Sequence, residues 1–334
     1  MSEQTKDILQ VSDLEKHFPI QKGVFKLTVG NVHAVNRVSF RIRQGESLGL
    51  VGESGCGKTT LGKCITFLQR PTGGKVVFQG IDLGQLSEPE LRTLRPRFQM
   101  IFQDPYSTLN PRMSVEAMLS EPLMLYTNLT KIERKNRVLE LLRTVGLKPE
   151  HCSRFPHEFS GGQRQRIAVA RALTMDPSLL VCDEPVSALD VSIQAQILNL
   201  LDRLKTKLGL SYLFISHDLG VVEHIADRIA VMYLGKIVEI ASDVDICSNP
   251  LHPYTQALMG AIPIPRAKAK REYTKLLPGD VPNPIKLPTG CYFHPRCPRV
   301  MPVCTEISPA AVEFPGGRQV FCHRYSSNGE KAAT

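Results

Sequence analysis

The chain has 334 residues, with 41 lysines and arginines against 32 aspartates and glutamates, and so a formal net charge of +9 at pH 7. This length is enough for two domains, or for one large domain with an appendage, and for a sizeable buried core. No apolar run approaches the roughly 18 residues that span a bilayer, and the N-terminus lacks the basic and apolar regions of a signal peptide, so we expect a soluble, peripheral protein.

The positive charge is compatible with two partners, nucleic acid or an anionic membrane surface. Nucleic-acid binding favours a basic helix or an aromatic and basic platform, and neither stands out, so we expect no nucleic-acid partner. The densest basic cluster is Arg266–Arg271. It fits a basic surface near a membrane, with a plain exposed linker as the alternative.

The first chemical motif along the chain is the glycine-rich loop Gly52–Thr59, which follows the apolar run Leu48–Val51. It matches GxxxxGK-S/T in the strand-to-helix context of a P-loop, the Walker A motif. Its glycines let the backbone wrap a nucleotide's phosphates with the N–H groups pointing inward. We expect Lys58 to reach the β- and γ-phosphates and the Thr59 hydroxyl to ligate magnesium.

Three later apolar runs also end in polar residues. They are Phe98–Phe102 before Gln103, Leu179–Cys182 before Asp183 and Glu184, and Tyr212–Ile215 before Ser216 and His217. Such runs, separated by helical stretches, predict buried parallel strands of an α/β sheet. Ligands of that architecture lie beyond the carboxyl ends of the strands, so we expect these polar groups to converge on the phosphates.

Each of these polar residues suits one task in ATP hydrolysis. Asp183 is expected to hold magnesium through water, and Gln103 to sense the magnesium and the γ-phosphate. Glu184 is expected to orient the attacking water and accept its proton as a general base. His217 is expected to hydrogen-bond the γ-phosphate.

After the strand at Phe98–Phe102, the spacing of the apolar residues changes to that of helices. Ser114–Tyr126 and Lys131–Val145 carry apolar residues at helical intervals. We therefore expect a helical subdomain over about residues 104–175, inside a domain that covers residues 1–245.

Ser160–Gln163, with the sequence SGGQ, predicts a second anion-binding helix start. Ser160 can cap the helix, and Gln163 completes a capping box. Gly161 and Gly162 leave the first N–H groups uncovered, so that an anion can approach and feel the helix dipole. Taken alone, the stretch could also be an ordinary capped loop.

Together these segments resemble the motif series of the ABC-transporter ATPases over residues 8–245. The resemblance is carried by Gly52–Thr60, Gln103, Ser160–Gln163, Leu179–Glu184, Ser187–Asp190 and His217. It implies a P-loop NTPase fold and a head-to-tail dimer, in which ATP on one subunit's P-loop is closed by the other subunit's SGGQ helix. It also implies that Asp190 lies in the loop between the two halves and that adenine stacks on Phe18, where a core aromatic is the alternative.

The resemblance assigns the site residue by residue. The residues expected to bind ATP are Gly52, Glu53, Ser54, Gly55, Cys56, Gly57, Lys58, Thr59, Thr60 and Phe18. The expected catalytic residues are Lys58, Gln103, Glu184 and His217, and the expected magnesium ligands are Thr59, Gln103 and Asp183. Every catalytic position is intact, so we do not expect this subunit to be the degenerate partner of an asymmetric pair.

The composition changes after about residue 245. Thirteen of the 24 prolines and five of the nine cysteines lie in residues 246–334, without a sustained helix or strand pattern, so we expect a small irregular extension there. Asn249–Leu258, which contains His-Pro-Tyr, resembles an element of the peptide-importer ATPases. Phe102–Pro111 and Phe155–Arg166 narrow the resemblance to the F-type ATP-binding subunits of dipeptide and oligopeptide permeases.

Four cysteines of this extension, Cys291, Cys297, Cys304 and Cys322, are separated by five, six and seventeen residues. Four thiolates can hold a 4Fe-4S cluster or a structural zinc ion. Zinc sites favour pairs of cysteines two to four residues apart, which this extension lacks. Disulfides are not expected, because the thiols of a cytosolic protein stay reduced. The peptide-importer ATPases that the extension resembles carry a 4Fe-4S cluster on such cysteines. Zinc, or cysteines that simply pack, are the alternatives.

The sequence thus predicts a subunit that uses MgATP to power import of dipeptides or oligopeptides, at the cytoplasmic face of the plasma (inner) membrane. The expected partners are a paralogous ATPase in a heterodimer, two membrane permease subunits and an extracytoplasmic peptide-binding protein. Glutathione, nickel complexes and sugars are alternative substrates. A soluble ABC ATPase would carry a coiled-coil insertion or a second cassette, and the intact catalytic motifs argue against a redox protein whose activity lies in the extension.

Overall fold

The computed structural model describes residues 6–23, 27–261 and 279–325, so the basic cluster Arg266–Arg271 lies outside the described residues. The strands are β1 (Asp7–Lys22), β2 (Leu27–Arg43), β3 (Ser47–Val51), β4 (Gly73–Phe78), β5 (Ile81–Asp82), β6 (Phe98–Ile101), β7 (Leu179–Asp183), β8 (Ser211–Ser216), β9 (Arg228–Tyr233), β10 (Lys236–Ser242), β11 (Val312–Phe314) and β12 (Arg318–Val320). The α-helices are α1 (Lys58–Ile65), α2 (Glu88–Leu94), α3 (Pro105–Thr108), α4 (Val115–Tyr126), α5 (Lys131–Thr144), α6 (Gly161–Ala172), α7 (Val191–Leu208), α8 (Leu219–Glu223), α9 (Asp243–Ser248), α10 (Pro253–Gly260) and α11 (Val303–Glu306).

The larger sheet has the order β11-β12-β10-β9-β3-β8-β7-β6. Its strands from β9 to β6 run parallel to their neighbours. Every residue of β3, β7 and β8 is buried, which explains why these segments are continuous apolar runs rather than alternating ones. The four predicted strands are confirmed, and their carboxyl ends share one edge of the sheet.

A smaller antiparallel sheet, with the order β2-β1-β4-β5, lies on the other side of α1. Leu61 and Ile65 of α1 belong to the same buried cluster as Leu9 and Phe78 of this sheet and Leu48 of β3. The helix that starts at the P-loop is therefore packed between two sheets, and the loop before it has a rigid base.

Helices α3 to α6 form a helical layer within the expected range of residues 104–175. Ser114 caps α4 by accepting a hydrogen bond from the Ala117 N–H at 3.3 Å, and Thr130 forms a capping box with Glu133 at the start of α5. The predicted helices therefore begin and end within one residue of the observed ones. No helix in the described part of the chain is long and apolar enough to cross a membrane.

The C-terminal extension is more ordered than its composition predicts. The expected boundary at residue 245 falls inside α9, and β12 adds to the main sheet by pairing antiparallel with β10. Glu239 of β10 is fully buried and accepts hydrogen bonds from Arg318 Nη2 and from the backbone N–H groups of Leu251 and His252. This carboxylate ties two parts of the extension to the core, at residues 251–252 and at Arg318, where the sequence offers only a run of prolines and cysteines.

Candidate active site

The P-loop leaves the end of β3 and returns as α1. Gly57 caps the helix with φ of 107°, and a Cβ there would overlap the carbonyl oxygen of Ala34. A Cβ on Gly52 would overlap the carbonyl oxygen of Met232 in the same way. Both positions require glycine because a neighbouring backbone carbonyl lies where a Cβ would stand.

Lys58 lies buried at the centre of this loop. Its Nζ donates hydrogen bonds to the carbonyl oxygens of Gly52, at 2.7 Å, and Glu53, at 3.0 Å. The amine is thus held by the loop's own backbone and makes only a long contact, 3.9 Å, with Cys56 Sγ, a weak acceptor that a phosphate oxygen can replace.

Two of the three magnesium ligands predicted from the sequence, Thr59 and Asp183, lie side by side, whereas Gln103 is hydrogen-bonded to Glu184. Thr59 Oγ1 donates a hydrogen bond of 3.0 Å to Asp183 Oδ1, at the end of β7. Burial raises the pKa of Asp183, the hydrogen bond from Thr59 opposes this rise, and the nearby charge of Glu184 adds to it. A divalent cation at this point would stabilise the charged carboxylate, so the pair has the chemistry of a magnesium site.

Glu184 is the centre of a second polar cluster. Its Oε2 accepts a hydrogen bond from Gln103 Nε2 at 2.9 Å and lies 3.1 Å from His217 Nδ1. The backbone of Glu184 is left-handed, with φ of 45°, and its N–H donates to the carbonyl oxygen of Ile215 at 2.9 Å. A non-glycine residue in this conformation is strained, and here the strain turns the carboxylate out of the sheet toward Gln103 and His217.

One cavity of about 550 Å³ lies beside Lys58, Thr59, Gln103, Glu184 and His217. Its wall is formed by Phe18, Val32, Ala34, Ser54, Gly55, Gly57, Lys58, Thr59, Thr60, Gln103, Glu184, His217 and Pro284. Gly52 and Glu53 carry the carbonyl oxygens that hold Lys58, and Cys56 is buried beneath the loop. The structure therefore brings together the residues expected to bind ATP and to catalyse its hydrolysis.

Three residues of this wall were missed by sequence reasoning. Val32 and Ala34 belong to β2, whose sequence shows no nucleotide-binding motif, and Pro284 belongs to the extension. The Pro284 carbonyl oxygen accepts a hydrogen bond of 3.1 Å from the His33 N–H, which brings the extension to the cavity rim. Phe18 lies half-buried on the same wall, with Lys16 Nζ 5.1 Å from its ring centroid.

The SGGQ segment stands apart from this cavity wall. Ser160 Oγ accepts from the Gln163 N–H at 3.4 Å and Gln163 Oε1 accepts from the Ser160 N–H at 3.1 Å, so the predicted capping box is present. Gly161 is exposed at the helix start, with room for a Cβ 3.4 Å from Leu189. Gly162 has a different reason to be glycine, because a Cβ there would overlap Ile193 of α7.

Asp190 lies at the N-cap of α7, where its side chain is exposed and makes no capping hydrogen bond. The preceding loop is pinned by the Ser187 hydroxyl, which donates to the Glu184 carbonyl oxygen at 3.1 Å. Asp190 is therefore presented outward from the same turn that shapes Glu184.

Four of the five cysteines of the extension, Cys291, Cys297, Cys304 and Cys322, interact through their charges. Burial is the main cause that raises the pKa of Cys322 to about 11, and the charges of Cys291, Cys297 and Cys304 contribute to that rise. Burial also raises the pKa of Cys291, whose carbonyl oxygen accepts a hydrogen bond of 3.0 Å from the His294 N–H. Across residues 6–23, 27–261 and 279–325, however, no three His, Cys, Asp or Glu side chains are placed to hold one metal ion.

Comparison with known proteins places these features in a family. Residues 35–187 match the ABC transporter family, and residues 238–304 match the oligopeptide/dipeptide transporter C-terminal region. The oligopeptide transport ATP-binding protein AppF of Bacillus subtilis is 51% identical over 96% of this chain and 98% of its own length. The dipeptide transport ATP-binding protein DppF of Escherichia coli is 49% identical over 94% of this chain and 93% of its own length.

Among solved structures, the dimeric ATP-binding cassette MJ0796 in a post-hydrolysis state with ADP and phosphate aligns with a TM-score of 0.63 and 28% identity. The alignment covers 70% of this chain and 98% of the cassette. The chain therefore belongs to the ABC transporter family, as an ATP-binding protein of the branch with the oligopeptide/dipeptide transporter C-terminal region.

Proposed function

We propose that this chain hydrolyses ATP to power the import of dipeptides or oligopeptides through a membrane ABC transporter. The observation that carries the ATPase part is the Glu184 carboxylate, which lies about 3 Å from both Gln103 Nε2 and His217 Nδ1 on the wall of the P-loop cavity. The peptide part is supported by the C-terminal region at residues 238–304 and by relatives that are named for oligopeptide and dipeptide transport.

In the proposed mechanism each residue acts from the place it occupies. Lys58 neutralises phosphate charge from inside the loop. Thr59, Asp183 and Gln103 would hold magnesium, which supplies charge stabilisation to the β- and γ-phosphates. Glu184 orients a water and accepts its proton, while Gln103 and His217 fix the position of the carboxylate. His217 is more than half exposed, so its Nε2 can also face the γ-phosphate.

A complete site is proposed to need a second ATP-binding subunit. The support is that Ser160 and Gly161 are exposed at a capped helix start, while the cavity wall above is built from other residues. The solved relative MJ0796 is described as dimeric. We propose that the partner is a related ATP-binding chain, that the pair sits on two permease subunits at the cytoplasmic face of the inner membrane, and that an extracytoplasmic peptide-binding protein delivers the substrate.

We also propose that Cys291, Cys297, Cys304 and Cys322 hold a 4Fe-4S cluster. A zinc ion with Zn–S bonds of about 2.3 Å needs its four sulfurs about 3.8 Å apart, whereas a cluster separates them further because each sulfur binds a different iron. The support is the spacing of these four cysteines, which resembles that of the peptide-importer ATPases. The four thiols also lie close enough to interact, since burial raises the pKa of Cys322 and the charges of the other three add to the rise.

Reconstitution tests the proposed transport function. The chain is assembled in vesicles with the permease, ATPase and binding proteins encoded beside it, and ATP hydrolysis is measured with added dipeptides, oligopeptides, glutathione and nickel. Stimulation and uptake with peptides support the proposal. Stimulation by glutathione or nickel alone would overturn the peptide assignment while leaving the ATPase assignment intact, and an inactive assembly with intact ATP binding would count against transport altogether.

A further inference from the structure

The C-terminal extension contacts the P-loop at Glu53, through the side chain of Arg296. Arg296 Nη1 and Nη2 donate to the two carboxylate oxygens of Glu53, at 2.8 and 3.1 Å. The Arg296 side chain is only 7% exposed, and its hydrogen bonds to Glu53 raise the pKa of the guanidinium. A two-pronged arginine–carboxylate pair fixes orientation as well as distance. These two residues lie 243 positions apart in the sequence.

A second contact holds the backbone of the same residue. The Glu53 N–H donates a hydrogen bond of 3.0 Å to the hydroxyl oxygen of Tyr254, whose side chain is fully buried. Tyr254 packs against Tyr233 and Phe293, with ring centroids 4.7 and 5.4 Å away. Both the side chain and the N–H of Glu53 are therefore held by residues that come after position 250.

The contact leads directly to the phosphate-binding amine. The Glu53 carbonyl oxygen is one of the two acceptors of Lys58 Nζ, at 3.0 Å. Movement of Glu53 would thus displace a backbone group that positions Lys58. A loop with glycines at positions 52, 55 and 57 has high backbone freedom, and a ligand that orders such a loop binds more weakly.

We propose that Arg296, assisted by Tyr254, is a positioning residue for the P-loop, so that the extension sets the affinity of the chain for ATP. The proposal rests on the ATP site proposed above. Arg296 lies in the short turn between Cys291 and Cys297, and its N–H donates to the Phe293 carbonyl oxygen at 3.0 Å. The ion pair of Arg296 with Glu53 therefore joins the cysteine-bearing turn to the ATP site.

The test is a double-substitution cycle on the full chain. Arg296→Gln and Glu53→Gln are each expected to raise the KM for ATP about tenfold, with kcat changed less than twofold, and the double variant is expected to be no worse than either single variant. Arg296→Lys is expected to recover part of the affinity because it keeps the charge but loses the second hydrogen bond. Arg299→Gln, which removes an exposed arginine three residues away, is the matched control and is expected to behave as the unsubstituted chain.

Tyr254→Phe provides a readout independent of activity. This substitution keeps the buried ring but removes the hydroxyl that accepts a hydrogen bond from the Glu53 N–H. Hydrogen exchange at the Glu53 amide is therefore expected to become faster, while an unchanged melting temperature shows that the variant is folded. Unchanged KM in folded Arg296→Gln and Glu53→Gln, or effects that add independently, would overturn the proposal. Retained ATP binding in Lys58→Ala would instead contradict the proposed ATP site, so the two failures are distinguishable.

Discussion

Gln103 and Glu184 lie 81 positions apart in the sequence, yet Gln103 Nε2 donates a hydrogen bond of 2.9 Å to Glu184 Oε2. Gln103 leaves the end of β6, at the edge of the parallel sheet, and is continuous with the helical layer that carries the SGGQ helix. Glu184 directly follows β7, beside the P-loop. Glu184, the proposed general base, is therefore hydrogen-bonded to Gln103, which lies between the parallel sheet and the helical layer. A shift of the helical layer would move the Glu184 carboxylate.

Glu184→Gln is expected to retain ATP binding and to lose at least about a hundredfold in hydrolysis, because glutamine keeps the shape but cannot accept the proton from water. Because bound ATP is not hydrolysed, the variant should accumulate as a stable dimer. Phosphate release and size-exclusion chromatography with ATP measure the two effects. Glu150→Gln, at an exposed carboxylate, is the control. Normal hydrolysis by Glu184→Gln would remove the general-base assignment.

Gly161→Asp tests the SGGQ segment better than a change at Gly162. A side chain at Gly162 would strike Ile193, whereas a Cβ at Gly161 has ordinary room, so loss of function at Gly161 is not a packing effect. An aspartate at this helix start would repel the phosphates of a partner-bound nucleotide. We expect an unchanged melting temperature, ATP binding at Lys58 within twofold of normal, and loss of hydrolysis. Full hydrolysis at the partner's site, in a dimer in which this chain carries Gly161→Asp, would exclude the sandwich arrangement.

His252 predicts a pH dependence of stability. Burial lowers its pKa to about 3, whereas an unfolded histidine titrates near about 6.5. Between these values the unfolded chain binds a proton that the folded chain does not. The contribution of His252 to the free energy of unfolding is therefore fully present above about pH 6.5. It falls as the pH decreases, by about 2 kcal/mol from pH 7.5 to pH 5.

The measurement is the difference in melting temperature between pH 7.5 and pH 5. His252 Nδ1 caps α10 by accepting from the Tyr254 N–H at 3.1 Å, and asparagine can make the same cap without titrating. His252→Asn should therefore narrow the difference, while His157→Asn, at an exposed histidine, should leave it unchanged. An equal difference in all three chains would contradict the prediction.

The cysteine cluster predicts a colour. Protein prepared without oxygen should be brown, with a charge-transfer band in the visible region, and Cys297→Ser should lose both iron and colour. Cys247→Ser, at a cysteine of the extension outside the proposed ligand set, is the control. A colourless anaerobic preparation with one zinc ion per chain would replace the cluster by zinc, and a colourless preparation without metal would favour cysteines that only pack.

Local chemistry explains which parts of the site were predictable. The P-loop, the four strand ends and the capping box of Ser160 are each set by neighbours a few residues away, through strand burial, backbone wrapping and helix capping. Their roles in hydrolysis remain predictions, but their positions followed from sequence pattern alone. The extension was predicted to be irregular because β11 and β12 are only three residues each, too short for a pattern to emerge.

The sequence by itself thus determined the parallel sheet, the helical layer and the residues that gather at the P-loop, because periodicity and motif spacing encode local structure. Only the tertiary structure placed Pro284 on the cavity rim, Ile193 against Gly162 and Arg296 on Glu53. These contacts join segments that have no local reason to meet. The contacts of Pro284 and Arg296 arise because β12 pairs with β10 and Glu239 binds Arg318, which folds the extension back beside the nucleotide site. Ile193 meets Gly162 because α7 packs against α6.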